Sequence, residues 1–179
     1  MSIKKIIEAN EALLRAYKNT TTLVGGLSVR FFKDRFIRQL WIDDKIEKWK
    51  KRKRPDKGKY AERAGNRAIL TKTGRLRRSI RVIKKTADSV VIGTDVPYAE
   101  AHNEGLSTTV TQQVPAAKVR SFKRNRKGRS EIVQAHNRKA HSRKMKINLP
   151  QRRFIGDSKF LNRRIEKNIE QLILKELKK

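Results

Sequence analysis

The sequence predicts an α+β fold in which N-terminal helices and a long C-terminal helix pack a small antiparallel sheet, with a long basic arm or β-hairpin as an insertion. Three observations lead to this prediction. Apolar residues recur at helical spacing near both ends of the chain. β-branched residues concentrate between Ser79 and Thr94, as they do in paired strands. Lys118 to Lys146 is strongly basic and poor in aliphatic residues, so this segment is not expected to form core.

The first third of the chain predicts two helices. Residues 2–18 form the first, because Ser2 is a suitable N-cap and apolar residues recur every three or four positions. These apolar residues are Ile6, Ala9, Leu13 and Tyr17. Asn19 and the three threonines after it are predicted to break this helix. A second helix is predicted to begin near Leu27. Its apolar face carries Val29, Phe32, Phe36 and Leu40, and it continues or restarts through Ile42, Ile46 and Trp49.

The middle of the chain predicts a loop followed by a hairpin. Residues 50–58 offer no apolar side chain to bury and contain Pro55 and Gly58, so they are predicted to be a basic loop. Ser79–Lys85 and Ser89–Thr94 then read as two strands joined across the short turn between them.

A short helix and the basic arm follow the hairpin. Pro97 to Glu104 suits one or two helical turns that end at Gly105. Val110 to Val114 is a further candidate strand. The arm, residues 118–146, carries twelve Lys or Arg against the single acid Glu131. It is predicted to be extended or a long β-hairpin, with a helix around residues 130–140 as an alternative, and residues 147–149 return to the fold as a short strand.

The C-terminal helix has the clearest pattern. Asp157 or Ser158 is the expected N-cap, and Leu172 widens an apolar stripe that recurs every fourth residue. The stripe consists of Leu161, Ile165, Ile169, Ile173 and Leu177.

Composition limits the class of protein. The 179 residues are most simply one domain, and their 47 Lys and Arg against 17 Asp and Glu give a formal net charge of +30. Such a charge implies an anionic partner, either nucleic acid or an acidic protein surface. The absence of cysteine excludes disulfides and thiolate metal sites. We expect a soluble, cytoplasmic protein without a signal peptide or membrane contact, since no long apolar run occurs.

The titratable residues do not form a recognisable catalytic set. His136 and His141 are five residues apart, which would not bring them together on one face of a helix. His102 lies between Glu100 and Glu104, a spacing that allows acid–base chemistry but is more typical of a structural histidine. The acidic pair at residues 43–44 is expected to balance local positive charge. We therefore predict no catalytic residue, no metal, no cofactor and no enzymatic activity.

Aromatic residues accompany the basic clusters and raise the question of nucleic-acid stacking. Trp41 and Trp49 lie near one cluster and Phe122 lies within the other. Trp49 shares an apolar stripe with Ile42 and Ile46, so packing in a core or interface is the preferred interpretation. For Phe122 both interpretations stay open.

Four short signatures occur in fixed order along the chain. The first two are Leu70-Thr-Lys-Thr-Gly-Arg-Leu-Arg-Arg-Ser-Ile80 and Val91-Ile-Gly-Thr94. The third consists of Pro97-Tyr-Ala99 followed by His102-Asn-Glu-Gly105, and the fourth is Pro150-Gln-Arg-Arg-Phe-Ile-Gly-Asp-Ser158. In this order they resemble the phage virion morphogenesis family, the tail-completion and head-tail-joining proteins of tailed bacteriophages. The family pattern Pro-Ala-Arg-x-Phe-x-Gly is met here with Gln151 in place of the alanine.

The resemblance implies one tail-completion-like domain over residues 1–179 and a set of structural signature residues. These are Thr73, Gly74, Leu76, Ser79, Ile80, Gly93, Tyr98, His102, Gly105, Pro150, Arg152, Phe154 and Gly156. Candidate interaction residues come from the two basic segments. They are Lys51, Arg52, Lys53, Arg54, Arg120, Lys123, Arg124, Arg126, Lys127 and Arg129.

The function implied by the resemblance is structural. The protein would complete the tail or join head to tail as part of a homo-oligomeric ring in the virion neck, assembled in the cytoplasm of the bacterial host. Its partners would be further copies of itself, connector or neck proteins and tail-tube proteins, with possible contact to packaged DNA. The alternative is a basic nucleic-acid-binding protein of ribosomal or chromatin type, which accounts for the charge but not for the ordered signatures.

Overall fold

The computed structural model describes residues 3–52, 68–126 and 128–178. The chain divides into two compact units. We call the unit of Met1–Gly105 and Pro150–Lys179 the body, and the unit of Leu106–Leu149 the ribbon. Helices and small antiparallel sheets make up the described residues, which confirms the predicted α+β class. The assignment of all residues to one domain stays a prediction.

One long helix, α1, occupies Ile3–Arg38, and the predicted break after residue 18 is wrong. The hydroxyl of Thr20 donates to the carbonyl of Ala16 at 3.0 Å, so the helix itself satisfies this polar side chain. Gly25 allows the close approach of the β-hairpin described below, because a Cβ there would lie 3.1 Å from Val82. With about 1.5 Å of rise per residue, α1 is about 54 Å long.

The second predicted helix ends earlier than expected, because residues 40–48 form a hairpin. Strand β1, Leu40–Ile42, pairs with β2, Ile46–Lys48. Gln39 ends α1 with a φ of +57°, and its side-chain amide exchanges hydrogen bonds of 2.6 and 3.2 Å with the backbone of Ile69. The predicted helical continuation through Ile42, Ile46 and Trp49 is therefore wrong.

The predicted hairpin and the short helix before Gly105 are confirmed, but the first strand begins at Arg81 and not at Ser79, because residues 75–79 form a helix that was not predicted. Helix α2, Arg75–Ser79, leads into β3, Arg81–Lys85, which pairs antiparallel with β4, Val90–Gly93. Helix α3, Ala99–Asn103, follows within the predicted range and precedes Gly105.

The ribbon, Leu106–Leu149, is a long β-hairpin made of three successive ladders. Its strands are β5 Leu106–Val114, β6 Ala117–Val119, β7 Phe122–Arg126, β8 Arg129–Val133, β9 His136–Arg138 and β10 His141–Leu149. Paired residues along it include Leu106 with Leu149, Val119 with His136, and Arg126 with Arg129. The three ladders keep one register without a slip. The hairpin alternative for the arm is thus confirmed, and a helix around residues 130–140 is wrong.

The last helix, α4, spans Lys159–Leu177, as predicted. Ser158 is its N-cap: the hydroxyl accepts from the N–H of Leu161 at 3.2 Å and donates to the carbonyl of Ile42 at 2.7 Å. The carboxylate of Asp43 accepts the N–H of Lys159 at 2.7 Å. The hairpin at residues 40–48 therefore fixes where α4 begins.

The hydrophobic core lies in the body, where α1 and α4 pack antiparallel. Phe31 stacks with Phe160 near the start of α4, while Arg15 pairs with Glu176 near its end. The buried core consists of Phe31, Phe32, Phe36, Trp41, Trp49, Leu76, Ile80, Val96, Ala99, Phe154 and Leu161. Trp41 and Trp49 are core residues, which confirms packing as the role of Trp49.

Candidate interaction surfaces

The first signature forms the turn that enters α2. Gly74 has a φ of +66°, a conformation that residues with a Cβ rarely adopt. The hydroxyl of Thr73 accepts the N–H of Arg75 at 3.3 Å, and the Arg78 guanidinium donates to the Thr73 carbonyl at 2.9 Å. Leu76, which follows Arg75, is buried. This signature therefore builds a turn and supplies core.

Ser79, Ile80 and Gly93 join α2 to the hairpin. The hydroxyl of Ser79 donates to the Leu76 carbonyl at 2.8 Å and lies within hydrogen-bond distance of the Thr94 hydroxyl. Ile80 is fully buried. A Cβ at Gly93 would lie 2.6 Å from Ile83, so this glycine makes room for a side chain of the neighbouring strand.

The third and fourth signatures meet in space around α3. The side-chain oxygen of Asn103 accepts the backbone N–H groups of Phe154 and Ile155 at 2.9 and 3.0 Å. The carbonyl of His102 accepts the N–H of Arg152 at 2.8 Å. Asn103 was not among the predicted signature residues, although it lies inside the quoted His-Asn-Glu-Gly run. Its side chain and the backbone of His102 both tie the two signatures together.

Arg152 is a buried anchor. Its guanidinium donates twice to the carbonyl of Lys50, at 3.1 and 3.3 Å. Burial lowers the pKa of Arg152, and the nearby charge of Arg52 lowers it further. With Gln151 in place of the family's alanine, the arginine still makes a structural contact inside the body.

His102 lies in a structural setting. The half-buried imidazole contacts the ring of Tyr98 edge-on, with centroids 5.9 Å apart. Burial lowers its pKa, and the charge of Arg152 adds to that effect. Among the described residues its Nδ1 has no hydrogen-bond partner, and the Glu104 carboxylate accepts instead from the Asn103 amide. The acid–base pairing that the sequence allowed is therefore not formed.

The fourth signature also fills the core. Phe154 is buried with its ring centroid 5.0 Å from that of Phe36. The indole N–H of Trp49 donates to the carbonyl of Arg153 at 2.9 Å, and the Arg153 guanidinium lies over the Trp41 ring at 4.7 Å. Pro150 begins this segment and Gly156 lies just before the cap of α4.

The candidate interaction residues fall on both units. Arg120, Lys123, Arg124 and Arg129 lie exposed along the ribbon. Lys51 is exposed in the body, whereas Arg52 is half-buried and donates to the Ala68 carbonyl at 3.1 Å. Arg126 ends β7. Lys53, Arg54 and Lys127, and most of the predicted basic loop at residues 50–58, lie outside the described residues.

The distal ladder of the ribbon concentrates positive charge. Arg124 pairs across the strands with Glu131, with its Nε 2.7 Å from the carboxylate. The ribbon as a whole contains the twelve Lys and Arg of the basic arm and the single acid Glu131. Phe122 is exposed opposite Val133, which leaves its role open.

The ladder of β5 and β10 has two different sides. On one side, register pairs bring together apolar residues: Leu106 with Leu149, and Val110 with Met145. Because side chains alternate along a strand, the other side carries Ser107, Thr109 and Thr111 opposite Asn148, Lys146 and Lys144. The apolar side includes exposed residues, so no described residue covers it fully.

Among residues 3–52, 68–126 and 128–178, no group of three or more His, Cys, Asp or Glu is placed to hold a metal ion. Among the described helices, none combines the length and hydropathy that crossing a bilayer requires.

The chain thus consists of an α+β body and a cationic β-ribbon. Comparison with known families identifies its family. The profile of the phage virion morphogenesis family matches residues 3–178, and the chain belongs to this family. Comparison with curated proteins and with solved structures gives no match. The predicted family is confirmed, and a role in building the phage virion follows from it.

Proposed function

We propose that this protein is a structural component of the phage neck or tail end, which completes the tail or joins head to tail as part of a homo-oligomeric ring. Membership of the virion morphogenesis family over residues 3–178 is the observation that carries the proposal. The body forms the ring and the ribbon binds its neighbours, namely connector, neck or tail-tube proteins. The protein then resides in the virion after assembly in the bacterial cytoplasm, and no catalytic step is involved.

The construction of the ribbon supports a protein partner. A two-stranded β-ribbon is only marginally stable in water, so a partner that covers it would stabilise it. The apolar side formed by Leu106, Val110, Met145 and Leu149 suits a protein surface better than a phosphate backbone. Within the described residues β5 and β10 pair only with each other, which leaves both edges able to accept a further strand.

Electrostatics supports an acidic surface on that partner. The ribbon has twelve Lys and Arg and one Glu, and Arg120, Lys123 and Arg129 are exposed on it. Complementary charge mainly accelerates docking and fixes its orientation. The ribbon would thus guide the protein onto its place in the particle, and the apolar side would hold it there.

The charge also favours a second candidate, binding to nucleic acid. A cationic ribbon can follow a phosphate backbone, and such binding weakens steeply as salt rises. In this case the ribbon would touch packaged DNA within the channel of the ring, or the protein would act outside the particle altogether.

The first test is electron microscopy of lysates from phage that lack this gene. We expect DNA-filled heads and tails that fail to join or that have abnormal lengths, and restoration when the gene is supplied in trans. Normal infectious particles would overturn the proposal and leave nucleic-acid binding as the better account.

The second test asks what the ribbon binds. Reversing Arg120, Lys123 and Arg129 to Glu spares the Arg124–Glu131 pair, so the ribbon should still form. The matched control reverses Lys84, Arg164 and Lys167, three exposed cations of the body, with the same change in net charge. We expect only the ribbon variant to delay the appearance of infectious particles in complementation, with an affinity for duplex DNA equal to that of the control. Parallel loss of DNA binding and complementation would favour the DNA alternative.

A further inference from the structure

A groove of about 680 Å³ lies in the body, beside the C-terminal half of α1. Its apolar lining consists of Val29 and Ile37 of α1 and of Ile80 and Val82 at the start of β3. Ile80 is fully buried, whereas Ile37 is 60% exposed and Val82 is 37% exposed. The lining therefore extends from the core out to the solvent.

The backbone of α1 sets the size of the groove. Its lining runs from Gly25 to Ile37, which is about 18 Å along the helix axis, the length of about three helical turns. Gly26 lies near one end, and a Cβ there would meet nothing within 4 Å among the described residues outside its own stretch of helix. A larger side chain at this position would enter the groove.

The rim of the groove is positively charged. Its cations are Arg30 and Lys33 of α1, Arg77 of α2 and Arg81 of β3. The single acid in the lining, Asp34, already accepts from Arg38 at 2.6 Å and from Arg35 at 2.9 Å. Asp34 is therefore not free to neutralise the rim.

Most of the charge on the rim lacks a counter-charge in the described part of the chain. Arg30, Lys33 and Arg77 form no ion pair with any described residue. Arg81 has a 3.5 Å contact with Asp95, but both side chains are more than half exposed, so water screens this pair. Cations that surround an apolar surface repel one another until an anionic partner arrives. The groove thus combines apolar surface with a demand for carboxylates.

An acidic amphipathic helix satisfies both properties. Its apolar side chains, three or four residues apart, would occupy the lining, and the carboxylates beside them would meet the rim. A nucleic-acid backbone could use the rim, but its phosphates and sugars offer no apolar group to cover Val29, Ile37 and Val82.

This chain is a poor source of such a helix. It contains 17 Asp and Glu against 47 Lys and Arg. Its two long helices, α1 and α4, each have more basic than acidic residues. A second copy would therefore bring mainly positive charge to a positive rim, whereas an acidic segment of another protein is attracted to it.

We propose that the groove binds an acidic amphipathic helix of about three turns, supplied by a different protein of the virion. Carboxylates of that helix direct it to the rim, and burial of its apolar face against Ile37 and Val82 holds it. The inference rests on the virion role of the family, and it needs neither the ribbon nor the ring of the proposed function.

The probe is a synthetic peptide of about twelve residues, with leucines on one helical face and glutamates on the other. A scrambled peptide of the same composition has the same charge but no apolar face. Fluorescence anisotropy of the labelled peptides measures their dissociation constants for the full chain. We expect the amphipathic peptide to bind about tenfold or more tightly than the scrambled one, because only the amphipathic peptide can fill the groove.

Two pairs of variants locate the peptide. Arg30→Glu with Arg77→Glu reverses the rim, and Lys167→Glu with Lys175→Glu makes the same change in net charge on α4. Gly26→Trp fills the groove, and Gly26→Ala is its matched control. We expect the rim variant and Gly26→Trp each to bind the amphipathic peptide about tenfold or more weakly than its own control. Circular dichroism verifies that every variant remains folded.

Four results would overturn the proposal. Equal affinity for the two peptides would mean that charge alone attracts them. Equal binding by a variant and its control would place the peptide elsewhere on the chain. If only the rim variant lost affinity for a DNA duplex, with peptide binding unchanged, the groove would be assigned to nucleic acid. An oligomer of the parent that the rim variant cannot form, seen by sedimentation velocity, would assign it to a second copy.

Complementation tests whether assembly uses the groove. Gly26→Trp, supplied in trans to the gene-deleted phage, should restore fewer infectious particles than Gly26→Ala. Equal restoration would show that no virion protein needs the groove, and it would also overturn the proposal. The peptide affinities are measured on purified protein, so they do not depend on the joining defect of the gene-deleted phage, which tests the proposed function separately.

Discussion

Asn103 joins two distant parts of the body through its side chain. Replacing it with Ala leaves the N–H groups of Phe154 and Ile155 without an acceptor in a partly buried site. We expect Asn103→Ala to lower the free energy of unfolding by about 1–3 kcal/mol. Asn103→Asp keeps the accepting oxygen and should stay close to the parent. Urea unfolding of the three proteins makes the comparison, and equal midpoints for Ala and Asp would contradict the role assigned to this side chain.

His102 links stability to pH. Burial lowers its pKa and the charge of Arg152 adds to this, so the folded protein favours the neutral imidazole. The unfolded chain takes up the proton first as the pH falls below the ordinary value of 6.5. The stability that His102 contributes is therefore complete above that pH and is lost on acidification.

The corresponding experiment compares urea midpoints of the parent and His102→Gln between about pH 7.5 and about pH 5.5. The decrease on acidification should be smaller in the variant. Asp44 does not interfere, because its hydrogen bond to Lys159 lowers the pKa of that carboxyl from an already low value of 3.8. A decrease of the same size in both proteins would show that the titration of His102 is not coupled to folding.

At the scale of elements, local patterns predicted some features and not others. The C-terminal helix, the β3–β4 hairpin and the short helix before Gly105 each have a repeat or turn signal within their own residues, and each is present. The hairpin at residues 40–48 was missed because its apolar residues also fit a helical stripe. Gln39 settles the choice through its contact with the backbone of Ile69, thirty residues away. No local pattern contains that contact.

The signature residues of the body also include some that were predicted and one that was missed. Glycines and apolar members of the signatures were identified through the family resemblance, and turns and core positions explain why residue type is restricted there. Asn103 was missed, because its role depends on the N–H groups of Phe154 and Ile155, fifty-one and fifty-two positions further on. The exposure of Ile6, Leu13 and Tyr17, on the predicted apolar face of α1, was equally hidden, since an amphipathic pattern shows that a face is apolar but not what covers it.

The ribbon is an element that the body should not need for folding. All residues of the buried core belong to the body. Leu106 and Leu149 are register partners, so a two-residue Asn-Gly turn can replace residues 107–148 between them. We expect this variant to unfold within about 3 °C of the parent, as measured by calorimetry. A larger fall in the melting temperature would mean that the ribbon contributes to the stability of the body.

For the whole molecule, the net charge of +30 sets how docking responds to salt. If the ribbon guides the protein onto an acidic surface, added salt should slow head-tail joining but leave the final yield unchanged, because screening acts mainly on the encounter. Purified protein added to extracts of gene-deleted phage, with infectious particles counted over time, measures both quantities. The variant with Arg120, Lys123 and Arg129 reversed should join slowly already at low salt and respond less to added salt. A final yield that falls with salt in parallel with the rate would instead indicate that ion pairs hold the assembled joint together.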